Sequence, residues 1–195
     1  MAKPTVHVLY VPGVGARRPG FQRAAVWLWR FHGVKPELVN MHWTVDEPWE
    51  VKLGRLLARV DQLHQAGAAV ALVGPSAGGA AVIAAYARRQ TVVTGCVLIA
   101  GKIHRPEAIG PKYRRENPAL LAASQDCVAS LETIDGAGRA RILSLYSSGD
   151  TVVPCRDSHI DGARNQTVGR RGHILTIARQ ITFGAGSFIR VLRQA

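Results

Sequence analysis

The 195-residue chain predicts a single-domain three-layer α/β/α sandwich with a mostly parallel sheet of about six strands. Three observations carry this. Short β-branched runs alternate with segments of helical pattern, and strand–helix–strand repetition implies right-handed crossovers and parallel pairing. Residues 6–11 and 97–100 are apolar almost without interruption, as strands covered on both faces are. Residues 49–65 carry the 3.6-residue stripe Val51, Leu53, Leu56, Leu57, Val60, Leu63 and His64.

In chain order, the first strand is expected at 5–11 and runs straight into Pro12-Gly13. A helix at 21–31 leads to a strand at 37–42, and the striped helix at 49–65 leads to an apolar strand at 68–73. An alanine-rich helix at 79–89 precedes the strand at 95–100. Residues 101–139, interrupted by Pro106, Pro111 and Pro118, are the one long irregular insert, with helical pattern at 118–131; an insert of this length suits a short cap over a site. A strand at 141–145 and a weak one at 165–168 complete the sheet. The apolar stretch 174–192, broken by Arg179, Gln180, Gly184, Gly186 and Arg190, reads as a buried last helix or an interface. The whole of 1–195 reads as one domain without repeats or linkers.

Composition narrows the function classes. With 47% apolar residues the chain is not disordered. No apolar run of 18 residues escapes charge or glycine, so no transmembrane helix is expected. Only Lys3 precedes the first strand, without a signal-peptide core, which places the protein in the cytoplasm. Cys96, Cys127 and Cys155 have no paired spacing and read as reduced thiols, with no zinc pattern. The net charge of +12 implies attraction to anionic surfaces. Its arginines are scattered, however, in pairs such as Arg17-Arg18, Arg88-Arg89, Arg114-Arg115 and Arg170-Arg171. There is no basic run of five and no aromatic platform, so no specific nucleic-acid partner is expected. A monomer is the simpler expectation.

Chemistry concentrates where strands end, since open parallel sheets bind ligands beyond their carboxyl edges. Residues 70–79 read Val-Ala-Leu-Val-Gly-Pro-Ser-Ala-Gly-Gly, a G-x-S-x-G pattern with Gly74, Ser76 and Gly78 in its fixed positions. A strand turning sharply into a helix at Ser76 pushes the hydroxyl out of the sheet edge. The same turn leaves the Ala77 N–H at a helix N-terminus, able to stabilise developing negative charge.

After the first strand comes Pro12-Gly13-Val14-Gly15-Ala16, which makes the Val14 N–H a candidate second oxyanion donor beside Ala77. A nucleotide-binding glycine loop does not fit, because Arg17, Arg18 and Pro19 intervene before Gly20 and no Gly-Lys-Ser/Thr follows. After the fifth strand, Gly149-Asp150 places a carboxylate where it can orient an imidazole. Of seven histidines, His7, His32, His42 and His64 read as structural, and His104 and His159 lie in loops. His173 follows the last strand, after Gly172, on a loop that can swing over the serine.

The order Ser76, Asp150, His173, with a strand–turn–helix at the serine, resembles the α/β-hydrolase superfamily over nearly the whole chain, and most of all its smallest lidless bacterial lipases and esterases. The resemblance rests on residues 11–15, 74–79, 149–154 and 172–173. It departs at Pro12, where the family often has histidine, which puts the usual stabilisation of that loop in question. It departs again at Pro75, where a polar or aromatic residue is usual.

The resemblance implies a minimal α/β-hydrolase fold and a serine hydrolase of carboxylic esters with short-to-medium acyl chains. Ser76, Asp150 and His173 would be catalytic, and the N–H groups of Val14 and Ala77 would form the oxyanion hole. Gly13, Gly15 and Trp43 are candidate substrate-binding residues. The chemistry needs no metal or organic cofactor, and the expected partner is a small-molecule ester. Cleavage of a thioester, an amide or a lipid acyl group by the same triad is the enzymatic alternative. A non-catalytic binding protein of the same fold is the other.

Overall fold

A computed structural model describes residues 5–15 and 20–194. Its strands are β1 (Val6–Tyr10), β2 (Lys35–Leu38), β3 (Ala69–Pro75), β4 (Val93–Ile99), β5 (Ile142–Tyr146) and β6 (Arg164–Thr167). They form one sheet in the order β2-β1-β3-β4-β5-β6, and each neighbouring pair is parallel. The chain first steps outward from β1 to β2, then returns to β3 and winds the other way. That reversal lies between β1 and β3, so their carboxyl ends flank the crevice where such sheets take ligands.

Helices cover both faces. On one lie α1 (Gly20–Trp27), a 3₁₀ turn at Leu28–His32, α8 (His173–Ile181) and α9 (Ala185–Leu192). There Tyr10, Trp29, Ile181 and Phe188 pack into one core. On the other lie α2 (Trp49–Gln65), α3 (Ala77–Arg88) and α5 (Leu120–Thr133), sealing a second core around Leu56, Ile83, Tyr86 and Cys127. Every residue of α3 from Ala77 to Tyr86 is buried. Its many alanines and glycines suit a helix enclosed between sheet and neighbours, where larger side chains would force the layers apart. The short helices α4 (Pro111–Glu116), α6 (Gly136–Ala140) and α7 (Cys155–Ser158) sit in connections.

Three elements differ from the sequence expectation. β2 lies two residues earlier than 37–42 and ends at Leu38, because the Asn40 side chain accepts from the His42 N–H at 2.9 Å and turns the chain. His42 then adopts a positive φ of 48°, so it belongs to a loop and does not end a strand. The stretch 174–192 is two helices, divided where Thr182 bonds back to the Ala178 carbonyl at 2.8 Å. Finally, the 101–139 segment is the β4–β5 crossover: α5 joins the core against α3, and only the part before it stands at the sheet's carboxyl edge. Among the described residues, no helix is long and apolar enough to cross a membrane. Nor is any group of three His, Cys, Asp or Glu side chains there placed to hold a metal ion.

Candidate active site

Ser76 stands between the last residue of β3 and the first of α3, with φ 50° and ψ −127°. A non-glycine residue in this region costs about 1–3 kcal/mol and persists only where its surroundings hold it. They do so here on both sides. The Ser76 N–H donates to the Ile99 carbonyl, and its carbonyl accepts from Gly79 and Lys102, all at 3.0 Å. The flanking glycines answer to close approach: a Cβ on Gly74 would run into the Gly78 carbonyl, and one on Gly78 into the Val11 carbonyl. A Cβ on Gly13 would sit 3.0 Å from the Ser76 Cβ, so the loop after β1 lies directly against the serine.

The loops after β5 and β6 bring up the other two residues. The His173 Nε2 lies 3.0 Å from Ser76 Oγ, and its Nδ1 lies 2.7 Å from Asp150 Oδ2. The second carboxylate oxygen of Asp150 accepts from the Val152 and Val153 N–H groups at 2.9 and 2.8 Å, which fixes its rotamer. Asp150 and His173 are both buried.

The two loops are held to each other. Ser147 Oγ lies 2.6 Å from the Arg171 carbonyl, and the Ser148 N–H donates to Gly169 at 3.1 Å. Gly149 leaves no room for a Cβ against the Arg170 carbonyl. The loop histidines are occupied elsewhere: His104 Nε2 lies 2.8 Å from the His159 carbonyl, and His159 Nδ1 lies 3.3 Å from the Tyr146 hydroxyl.

The Val14 and Ala77 N–H groups have no acceptor among the described residues. Both residues line a cavity of about 120 Å³ that contains Ser76, and Ile109, Tyr113, Leu120 and Val153 supply apolar walls. Val152, which lines it, is 55% exposed; Ile174, next to His173 in sequence, is 77% exposed. A hydroxyl beside an imidazole whose far nitrogen is held by a carboxylate can be deprotonated as it attacks; nearby N–H groups without an acceptor can receive an oxyanion.

Of the substrate-binding candidates, Gly13, Gly15 and Trp43 line a neighbouring cavity of about 120 Å³ together with Asn40 and Asn117. Trp43 is itself buried and stacks on Trp49, with ring centroids 6.1 Å apart. Arg17, Arg18 and Pro19, which separated the glycine loop from a nucleotide motif, lie outside the described residues.

Sequence reasoning passed over Asp157, which is 1% exposed and accepts from Lys102 Nζ and Arg105 Nε, each at 2.5 Å. Its main chain binds the same segment, since its carbonyl accepts from the Ile103 N–H at 2.9 Å. Because Lys102 also bonds the Ser76 carbonyl, this cluster ties the serine's turn to the loop that carries Asp150. The only signal in the sequence was the location of Asp157 a few residues after Asp150.

Burial pushes the Asp157 carboxyl up, but Arg105 and Lys102 together hold it below its ordinary 3.8. A depressed folded value means its stabilisation is full above pH 3.8 and is lost as pH falls through the folded value. Asp157→Asn is therefore expected to lower the urea midpoint clearly at pH 7, and the gap from wild type is expected to narrow on acidification below that range. Urea curves at pH 7 and pH 3 check this; an equal gap at both would contradict it.

No protein-family model matches the sequence, and no curated protein matches it in sequence. Solved structures are similar in fold. Est1E from Butyrivibrio proteoclasticus superposes with a TM-score of 0.76 at 15% identity, over 100% of this chain and 90% of its own. A structure of the metagenome-derived lipolytic enzymes LipS and LipT gives 0.74 at 12% identity, over 98% and 95%. A monoacylglycerol lipase from Paleococcus ferrophilus gives 0.66 at 11%, over 98% and 97%. At these identities the likeness concerns the fold, which is the α/β-hydrolase fold.

Proposed function

We propose that this chain of α/β-hydrolase fold is a serine carboxylesterase acting on esters of short-to-medium acyl chains. The observation that carries the reading is the continuous hydrogen-bonded chain from Asp150 through His173 to Ser76, at 2.7 and 3.0 Å. In this reading His173 Nε2 takes the Ser76 proton as Oγ attacks the ester carbonyl carbon. Asp150 keeps the proton on Nδ1 and stabilises the imidazolium that forms. The Val14 and Ala77 N–H groups receive the carbonyl oxygen as it becomes negative, a contribution of about 3 kcal/mol per donor.

Collapse of the tetrahedral intermediate breaks the bond to the alkoxy oxygen, which leaves with the proton from His173. Water then attacks the acyl-serine with His173 again as base, releasing the acid and restoring Ser76. The small apolar cavity beside Ser76 supports a short acyl group, and the exposed Val152 that lines it supports access without a large lid. Lipolytic enzymes and esterases among the structural neighbours agree with this class. Three free cysteines support a reducing compartment, the cytoplasm.

The test is hydrolysis of p-nitrophenyl esters from acetate to palmitate, beside thioester and anilide analogues, with fluorophosphonate labelling of the same preparation. Turnover greatest for esters of two to eight or so carbons, with labelling at Ser76, is the expected result. A folded protein inert to every ester would overturn the reading, and preference for the thioester or anilide would move it to that neighbouring class.

A further inference from the structure

Among its described residues, the loop that carries the Val14 N–H has little of its own to hold it. Pro12 has no N–H to bond, and Gly13 and Gly15 bring no side chain. Gly15 takes a φ of 114°. Yet this loop must present one N–H to a developing oxyanion within a few tenths of an ångström, because such donors act through preorganisation.

Among the described residues, one side chain hydrogen-bonds to it: Trp43 Nε1 donates to the Pro12 carbonyl at 2.9 Å, in a buried setting. That carbonyl belongs to the residue two before Val14.

Trp43 is in turn held from three directions. Its ring lies nearly parallel to Trp49, at 7° between planes, and the Trp49 N–H donates to Asp126 at 2.7 Å. The loop bearing Trp43 curls around the ammonium of Lys52, a residue of α2 with no exposed surface. Lys52 Nζ donates to the His42 carbonyl at 2.6 Å and the Val45 carbonyl at 3.1 Å, with Glu47 at 3.5 Å. A buried ammonium is costly unless its donors are filled, so these bonds define the loop's path. The Arg55–Glu47 pair, with contacts of 2.7 and 2.6 Å, closes the same loop at the surface.

We propose that Trp43 is a positioning residue of the ester-hydrolysing reaction: its buried indole N–H holds the Pro12 carbonyl and thereby aims the Val14 N–H at the oxyanion. The inference rests on the esterase reading above and adds to it a support that lies 31 residues away in sequence. It also reassigns Trp43, expected to touch substrate, to the layer beneath the loop. Ground-state ester binding asks little of that donor, whereas the tetrahedral state asks for full alignment. Losing the indole bond therefore acts on kcat and leaves KM alone.

The test replaces only the donor. Wild type is compared with Trp43→Phe and with a protein carrying 3-benzothienylalanine at position 43, which keeps the bicyclic shape and exchanges N–H for sulfur. Three readouts are taken: kcat and KM for p-nitrophenyl butyrate, inhibition by an alkyl boronic acid that forms a tetrahedral adduct on Ser76, and thermal midpoint. The expected result for the benzothienyl protein is a fall in kcat of about 10- to 100-fold. Boronate affinity should fall in parallel, with KM within about twofold and the thermal midpoint close to wild type.

Trp43→Phe should show the same kinetic loss with a lower midpoint, since it also leaves a cavity. An active wild type whose benzothienyl counterpart keeps its kcat and boronate affinity overturns this proposal alone. So does a loss carried entirely by KM. Wild type inert to both ester and boronate overturns the esterase reading and the proposal with it.

Discussion

Ser76→Ala is expected to lower kcat for a p-nitrophenyl ester by about 10⁴- to 10⁶-fold, the scale on which single triad members fail elsewhere. The substitution removes one atom, and among the described residues that atom's only hydrogen bond is with His173, at 3.0 Å. The strained turn is held by main-chain bonds to Ile99, Gly79 and Lys102, which alanine keeps. Folding and KM should therefore stay near wild type while turnover and fluorophosphonate labelling disappear. Turnover measured beside a thermal melt checks this. A variant that melts like wild type and retains ester turnover within tenfold would remove Ser76 from the chemistry.

The second large effect concerns a proton's location. Asp150→Asn preserves volume, and the amide oxygen can still accept from the Val152 and Val153 N–H groups, which now bond Oδ1 at 2.9 and 2.8 Å. Held that way, the amide turns its NH₂ toward His173 Nδ1, where the carboxylate now sits at 2.7 Å. A donor facing Nδ1 drives the imidazole's proton to Nε2, the nitrogen that must accept from Ser76 Oγ. The geometry survives and the base is lost. The expected fall in kcat is about 10⁴-fold with little change in thermal midpoint. Loss of less than tenfold would show that Asp150 does not set the tautomer.

Residues close together in sequence and set by backbone rules were legible from the start. The apolar runs became β1, β3, β4 and β5, because a strand buried on both faces must be apolar throughout, whereas the edge strand β6 is polar and gave only a weak signal. Gly74, Ser76 and Gly78 marked the turn, because only glycine admits the Gly78 and Val11 carbonyls so close. The order Ser76, Asp150, His173 was legible because each follows a strand, and parallel strands deliver their carboxyl ends to one edge. The exception is β2, displaced because a side-chain bond from Asn40 outweighed the strand pattern.

What depends on distant partners was not legible. Trp43 has the same composition signal whether it lines a pocket or supports a loop. Its role follows from an indole N–H that meets Pro12 only after α2 has folded under the loop. Lys52 gave no hint that its ammonium would be buried, since its carbonyl partners come from a loop whose path exists only around it. Asp157 was passed over because Lys102 and Arg105, which bind it, come from the β4–β5 crossover 55 and 52 residues earlier. By itself the sequence determined the parallel sheet, the turn at Ser76 and the order of its companions, since these follow from periodicity and steric rules along the chain. Tertiary structure alone decided which buried donors and charges hold that serine's surroundings in place, because a hydrogen bond between remote residues has no signature in the sequence near either.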